Sequence, residues 1–344
     1  MRDSKGWRAG AIRVLLLASA FTMAATGAWA QYGSKKLGSD GKPANFKYGK
    51  LKIQALGGAA CGAPAYVAFE KGYLADEGFD AELVEGTFET EKTGLVTGEF
   101  TVTNGDFQWF TSIQSGLDLR VIGGLHKGCL KVLVPAGSPI KTGADLKGKN
   151  IGVDEIGGTP MSITTLVLAN ANLDPQKDVT WKIYADDLFD EAVKKGEIDA
   201  FAVWDPFGAL YIKDKGYKAL TDISTDPLFK GRSCCFLYAS GKKIKEDPAR
   251  VQAIARAYQK ADEYIGKHPE ETAKLEIDYG YVATKDLKLI TDLIRSYDYV
   301  YTNEAVRNDV EYFTTQFKKT GFLKANTDAA AFTKQVYWNA FAKL

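Results

Sequence analysis

Short apolar segments typical of strands alternate with helical segments along most of this chain. Residues 51–55 alternate as in a strand, two glycines follow them, and residues 63–77 have the apolar spacing of a helix. A strand at 150–153, a second pair of glycines and a helix from Thr159 repeat this order. Because strands that alternate with helices form mainly parallel sheets, we predict an α/β fold with a largely parallel sheet.

The loops that follow the predicted strands are the first candidates for a binding site. In open parallel sheets, ligands bind beyond the carboxyl ends of the strands. Loops at 57–63, 104–108 and 126–128 each follow a predicted strand, so we expect them to form one rim. The last third of the chain is mainly helical, and one face of its first helix carries apolar residues at 251, 254, 255, 258 and 261.

The N-terminus has the pattern of a secretory signal peptide. Four basic residues within positions 2–13 precede an apolar run from Val14 and the small-residue site Ala28-Trp29-Ala30. We therefore predict a signal peptide over residues 1–30, cleaved after Ala30, and a periplasmic protein. An uncleaved anchor is the alternative, whereas the junction has no cysteine that could carry a lipid.

Composition limits the remaining possibilities. Loss of residues 1–30 removes four basic residues and one acidic residue, which changes the formal net charge from +1 to −2. A nearly neutral chain does not favour nucleic acid or an anionic membrane as a partner. Residues 31–47 have little apolar periodicity and read as a flexible leader, and the rest is long enough for two domains of roughly 100 to 200 residues each.

The four cysteines lie at positions 61, 129, 234 and 235. They show neither the spacing of a zinc site nor a Cys-x-x-Cys motif, so we predict no bound metal. An even number of cysteines permits disulfides in an oxidising compartment, although strain disfavours a bond between the adjacent Cys234 and Cys235.

Three segments resemble one family of transport proteins: residues 132–153, Gly157-Gly158-Thr159-Pro160, and residues 196–206. With them, residues 50–340 resemble the periplasmic solute-binding proteins for sulfonates, taurine and nitrate, which are related to those for thiamine pyrimidine precursors. The resemblance implies the type II periplasmic binding protein fold, in which two α/β lobes flank a ligand cleft and the chain crosses twice between them. Lobe one would comprise residues 48–128 plus 236–344, and lobe two residues 129–235.

The same resemblance implies a function. The chain would be the solute-binding component of an ABC importer and would bind a small anionic or zwitterionic organic solute, sulfonate-like or taurine-like, with nitrate as a further possibility. Its partners would be the permease and ATPase subunits on other chains, it would act as a monomer, and it would need no cofactor. The alternative is a receptor for a thiamine-pyrimidine precursor, or an enzyme similar to the pyrimidine synthase.

Backbone donors in two glycine-containing loops are candidate ligand contacts. Thr159 suits a helix N-cap and Pro160 the first helical position, and a helix N-terminus attracts anions, so we predict that Gly158 and Thr159 contact the solute. An ordinary capped helix explains the same residues. In the loop at 57–63 we select Gly58, Cys61 and Gly62, although small residues also suit a tight turn.

Side chains at three further places complete the predicted site. Asn104, Asp106 and Gln108 offer polar groups that could orient the solute, and Lys127 offers a positive charge for an anion unless it is simply solvated. Trp204 and Asp205 fall in the segment that faces the ligand in the resembling family. Asp205 equally suits an N-cap before Pro206; if it faces the cleft, an amino-sulfonate is favoured over nitrate.

The cysteines allow an enzymatic alternative to be weighed. Ser233-Cys234-Cys235-Phe236 resembles part of the cysteine-rich motif of the pyrimidine synthase, but that enzyme needs a lysine and a histidine where this chain has Asn104 and Gln108. We therefore predict that the chain is not an enzyme. The crossovers implied by the resemblance would bring Cys129 near Cys234 and Cys235, so a disulfide from Cys129 to either one is possible, with buried free thiols as the alternative.

Overall fold

The computed structural model describes residues 36–86 and 88–344. Its strands are β1 (Gly49–Ala55), β2 (Phe79–Glu85), β3 (Val102–Gly105), β4 (Leu119–His126), β5 (Leu130–Val134), β6 (Asn150–Val153), β7 (Thr180–Ile183), β8 (Ala200–Trp204), β9 (Lys218–Asp222) and β10 (Cys235–Ser240). The predicted signal peptide and residues 31–35 of the predicted leader lie outside the described residues.

The helices surround these strands. They are α1 (Ala63–Glu70), α2 (Tyr73–Asp76), α3 (Phe88–Thr97), α4 (Gln108–Gln114), α5 (Thr159–Asn170), α6 (Phe189–Lys194), α7 (Phe207–Lys215), α8 (Gly241–Glu246), α9 (Pro248–Lys267), α10 (Pro269–Asp278), α11 (Leu287–Ser296), α12 (Asn303–Thr320) and α13 (Ala329–Val336). No helix in the described part of the chain is long and apolar enough to span a membrane.

The strands form three sheets with mixed directions. β1 pairs with β2 in parallel, whereas β10 lies between β3 and β4 and is antiparallel to both. The third sheet has the order β7-β6-β8-β5-β9, in which β6 is parallel to its neighbours and β5 is antiparallel to its own. The prediction of a largely parallel sheet therefore fails for β5 and β10, because each of them runs antiparallel to both of its neighbours.

Two connections separate these groups of strands. The chain leaves β4 at His126 and enters β5 at Leu130, and it leaves β9 at Asp222 and enters β10 at Cys235. The five-stranded sheet thus uses only residues between 130 and 222, while β10 completes a sheet begun by β3 and β4. The exact lobe boundaries stay a prediction.

The core beneath β10 is aromatic. Phe107 is fully buried and packs against Phe110, Phe236, Phe313 and Phe317, with ring centroids 4.2–5.8 Å from its own. The apolar face predicted for the helix around residue 255 is confirmed, because all five of its residues are buried in α9. Packing of this kind holds the strand ends in fixed positions around the site.

The described part of the predicted leader is attached to α2. Ser39 donates hydrogen bonds to Asp76 from its backbone nitrogen at 2.9 Å and from its hydroxyl at 2.6 Å. Leu37 also forms an isolated antiparallel bridge with Pro43. The segment from residue 36 onward thus has defined partners.

Candidate functional site

A cavity of about 290 Å³ lies where the ends of several strands meet. Residues 55–57 lie at the end of β1, residues 104–106 at the end of β3, residues 154–155 follow β6, and Trp204 ends β8; all of them line the cavity. The carboxyl ends of strands from all three sheets therefore converge there, as the general rule for α/β folds predicts. A cavity of this size fits a small solute.

The charge of the cavity lining is acidic. Five carboxyl groups line it, and the lining includes no lysine, arginine or histidine among the described residues; the five are Glu91, Asp106, Asp154, Glu155 and Asp186. Burial raises the pKa of Asp106 and of Glu91 well above their ordinary values, and their mutual proximity adds to the shift at Glu91. An electron-rich lining of this kind favours hydrogen-bond donors and cations.

Asp186 is the carboxyl group whose ionisation falls near neutral pH. Burial, followed by the neighbouring charges of Asp154 and Asp187, raises its pKa to about 7. Burial also raises the pKa of Asp154, although the indole of Trp204 donates to this carboxylate at 3.1 Å and opposes the shift. The cavity therefore gains negative charge as the pH rises through neutrality.

Several buried polar atoms of the lining have no hydrogen-bond partner within the described chain. Both polar atoms of the Asn104 amide are in this state, as are one carboxylate oxygen of Asp154 and one of Asp186. A buried polar group without a partner costs about 1–3 kcal/mol. A bound solute that supplies both a donor and an acceptor would satisfy these atoms.

Five of the eleven predicted site residues line this cavity: Cys61, Asn104, Asp106, Gln108 and Trp204. Asp106 accepts a hydrogen bond from the backbone nitrogen of Gln108 at 2.9 Å, which fixes the start of α4 beside the cavity. The remaining six lie outside the lining, each for a reason visible in the structure.

Asp205 and Lys127 are engaged by residues from other elements. Asp205 is fully buried, and its carboxylate pairs with Lys131 at 2.5 Å and accepts from the Tyr297 hydroxyl at 3.1 Å. Its other oxygen accepts from the Ala209 nitrogen in the first turn of α7 at 3.1 Å, whereas the N-cap position of that helix is Pro206 rather than Asp205. Lys127 pairs with the Asp298 carboxylate at 2.6 Å rather than facing the cavity.

The four other residues, Gly58, Gly62, Gly158 and Thr159, have positions set by their local turns and helix starts. Gly58 donates to the Tyr281 carbonyl at 3.1 Å, and Gly62 packs so closely on the Tyr66 ring that a Cβ atom would lie 2.5 Å from it. At α5 the N-cap is Gly158, so Thr159 is the first helical residue rather than the predicted cap. The Thr159 hydroxyl is buried and has no partner among the described residues.

Sequence reasoning missed several lining residues. Asp154 and Glu155 directly follow β6, so the rule about strand ends could have identified them. Glu91 lies on α3 and Asp186 lies before α6, where no sequence signal marks them. Phe207 at the start of α7 adds an apolar wall to the cavity.

The cysteines form a buried cluster beside the cavity, and Cys61 and Cys235 belong to its lining. All four are free thiols; the Cys129 sulfur lies 3.7 Å from that of Cys234 and 3.9 Å from that of Cys235. A disulfide bond is close to 2.05 Å long. The structure thus brings these sulfur atoms close together at distances longer than a disulfide bond, and a disulfide between them stays a prediction.

Comparison with known proteins places this architecture in a family. Residues 62–272 match the family described as NMT1/THI5 like. A Bacillus subtilis protein named for the binding of aliphatic sulfonates is 25% identical over 317 residues, which cover 89% of this chain and 91% of that protein.

Two solved structures show the same fold. The alkanesulfonate-binding protein of Xanthomonas axonopodis, bound to MOPS, superposes with a TM-score of 0.67 at 18% identity over 84% of this chain and 98% of its own. The periplasmic nitrate-binding protein of Synechocystis has a TM-score of 0.68 at 17% identity over 84% of this chain and 85% of its own. The chain therefore has the two-lobed α/β fold of periplasmic binding proteins and belongs to the NMT1/THI5-like family.

Proposed function

We propose that this chain is the solute-binding component of an ABC importer, and that its cavity binds a small zwitterionic solute with a protonated amine. The acidic lining of the cavity carries the second part of this proposal. The relatives named for aliphatic sulfonates and for nitrate support the first part. An amino-sulfonate fits both observations, because its amine suits the acidic lining and its sulfonate matches the solutes in the names of the relatives.

Charge distinguishes this solute class from a simple anion. A carboxylate about 4 Å from an ammonium group contributes roughly 4 kcal/mol of attraction at an effective dielectric constant of 20. The same carboxylate repels nitrate or an alkanesulfonate by a similar amount. The described lining contains five carboxyl groups and no basic side chain, and those that are ionised favour a solute with an amine over a simple anion.

The amide of Asn104 suits the opposite end of a zwitterion. Its nitrogen can donate to an anionic oxygen while its oxygen accepts from an amine, and neither atom has a partner inside the described protein. The Gln108 side chain lies on the same wall. The proposed solute would therefore meet carboxylates at its amine and amide donors at its anionic group.

Export and assembly complete the proposal. Cleavage after Ala30 would release the chain into the periplasm, where it would act as a monomer and deliver its solute to permease and ATPase subunits encoded elsewhere. Lobe one, residues 48–128 plus 236–344, would close on lobe two, residues 129–235, around the bound solute. This cycle requires no chemical step.

The experiment is a thermal-unfolding screen of the exported chain after removal of any copurified solute. The compounds form a matched set: taurine carries both groups, ethanesulfonate lacks the amine, ethylamine lacks the sulfonate, and nitrate is a bare anion. At a concentration 100 times its Kd, a solute stabilises the native state by about 2.7 kcal/mol, which for a chain of this length corresponds to a shift in Tm of roughly 4 °C. We expect a shift of this size only with amino-sulfonates.

The outcomes separate the two parts of the proposal. Equal or larger shifts with ethanesulfonate or nitrate would show that the amine is unnecessary and would overturn the assigned solute class. A response to hydroxymethyl-aminopyrimidine alone would indicate the thiamine branch instead. Unchanged Tm with every compound would contradict a receptor for this group of solutes.

A further inference from the structure

We propose that His126, Cys129, Cys234 and Cys235 bind one zinc ion in a tetrahedral site that joins the two connections between the sheets. This site is separate from the solute cavity in its ligands except for Cys235, which borders both. The proposal does not depend on the identity of the solute.

The four residues come from the two places where the chain passes between sheets. His126 ends β4 and Cys129 precedes β5, whereas Cys234 and Cys235 lie at the start of β10. Cys235 is paired with His126 in the ladder between β10 and β4. An ion held by all four residues would therefore bind the outgoing connection to the returning one.

The distances fit tetrahedral coordination. The three sulfur atoms are 3.6, 3.7 and 3.9 Å apart, and the Cys234 sulfur lies 3.8 Å from Nδ1 of His126. A zinc–sulfur bond of about 2.3 Å gives a tetrahedron with edges of roughly 3.8 Å. All four candidate ligand atoms lie within 4.8 Å of one another, so a central ion needs only small side-chain movements.

The surroundings match a structural metal site rather than a catalytic one. Each of the four residues is at most 7% exposed, and Nε2 of His126 has no hydrogen-bond partner among the described residues. Four protein ligands complete the coordination of zinc and leave no position for water. The Cys234 thiol donates to the Gly128 carbonyl at 2.6 Å, so metal binding would exchange that hydrogen bond for a metal–sulfur bond.

Ligand chemistry selects the ion. Thiolates with an imidazole favour zinc over magnesium and calcium, which prefer oxygen ligands. Binding would transfer the three thiol protons to the solvent and leave a zinc–tris(thiolate)–imidazole centre with one net negative charge. Spacing in the sequence does not reveal the site, because Cys129 and Cys234 are 105 residues apart.

The test measures zinc stoichiometry in the exported chain, purified without a histidine tag and kept reduced with a phosphine. After dialysis against zinc and then against metal-free buffer, elemental analysis should give about one zinc per wild-type chain. Cys234→Ser and His126→Asn should lose this ion. The matched control is His268→Asn, because His268 is the chain's other histidine and pairs with Glu271 on the surface.

Cobalt substitution gives a second readout of the metal site, and circular dichroism shows whether each variant is still folded. The wild-type protein should show the visible absorption of tetrahedral cobalt–thiolate coordination, and folded Cys234→Ser should not. Equal zinc content in wild type and both ligand variants would overturn the proposal. A folded, reduced wild-type chain that binds no zinc would also overturn the proposal, even if air oxidation then joins Cys129 to Cys234 or Cys235 in a disulfide.

Discussion

Replacement of Asp186 by asparagine should change the pH dependence of stability in a defined direction. The ordinary pKa of an aspartate is 3.8, and that of Asp186 in the folded protein is about 7. Between these values the native state holds a proton that the unfolded state has released. The free energy of unfolding of the solute-free protein therefore decreases as pH rises from 4 towards 7, and the lost stability returns on acidification.

The magnitude follows from the size of the shift. The pKa of Asp186 rises from 3.8 to about 7, and at 1.36 kcal/mol per pH unit this rise corresponds to on the order of 4 kcal/mol of unfolding free energy. Asp186→Asn removes the ionisation but keeps the shape of the side chain. The difference in unfolding free energy between variant and wild type should therefore grow by about 3 kcal/mol between pH 4.5 and pH 8.5, since part of the effect lies below that range.

Urea denaturation followed by tryptophan fluorescence measures this difference directly at a series of pH values. Asp187→Asn is the matched control, because Asp187 is adjacent in sequence but exposed to solvent. Because the charge of Asp187 is the smallest of the three contributions to the raised pKa of Asp186, its curve should depart from that of the wild type far less than the curve of Asp186→Asn. Curves for Asp186→Asn and wild type that stay parallel across the whole pH range would refute the assignment of a buried, neutral carboxyl group at this position.

Three other substitutions test the packing and the cavity. Lys131→Met leaves the carboxylate of Asp205 buried without its cation and should destabilise the protein by about 3–5 kcal/mol in urea denaturation. Adding Asp205→Asn should restore much of this stability, and a double variant without any recovery would contradict the pairing. Phe107→Ala should cost about 3–5 kcal/mol by the same measurement, since its ring is fully buried, and a cost below 1 kcal/mol would argue against the aromatic core. Trp204→Ala removes a cavity wall and the donor to Asp154, so calorimetry should show solute binding weakened by about 2 kcal/mol, and unchanged affinity would remove Trp204 from the site.

Local patterns predicted many of the regular elements. The strand inferred at 150–153 is β6, and the helix inferred from Thr159 is α5. Both follow from short apolar runs interrupted by glycine, which depend only on neighbouring residues. The position of β10 between β3 and β4 could not be inferred in this way, because strand order depends on contacts between distant parts of the chain.

In the candidate site, too, local patterns predicted some positions, whereas others depend on contacts between distant residues. Asn104 and Asp106 lie at the end of β3, and their place in the cavity lining follows from the rule about strand ends. Lys127 and Asp205 were selected for their charge, but Asp298 and Lys131 neutralise them, at sequence separations of 171 and 74 residues. Partners so far away leave no trace in local composition, so a charged residue beside a predicted loop is weak evidence for a ligand contact.

The position of β10 also orders the events of folding. The five-stranded sheet takes all its strands from one continuous stretch of chain, whereas β3 and β4 lack their shared neighbour until residue 235 and beyond are available. The hydrogen bond from the Tyr238 hydroxyl to the Asp106 carbonyl, for example, closes a loop of 132 residues. Closure of so long a loop is slow compared with local pairing, so the unpaired edges of β3 and β4 can form non-native strand pairings until β10 has docked between them.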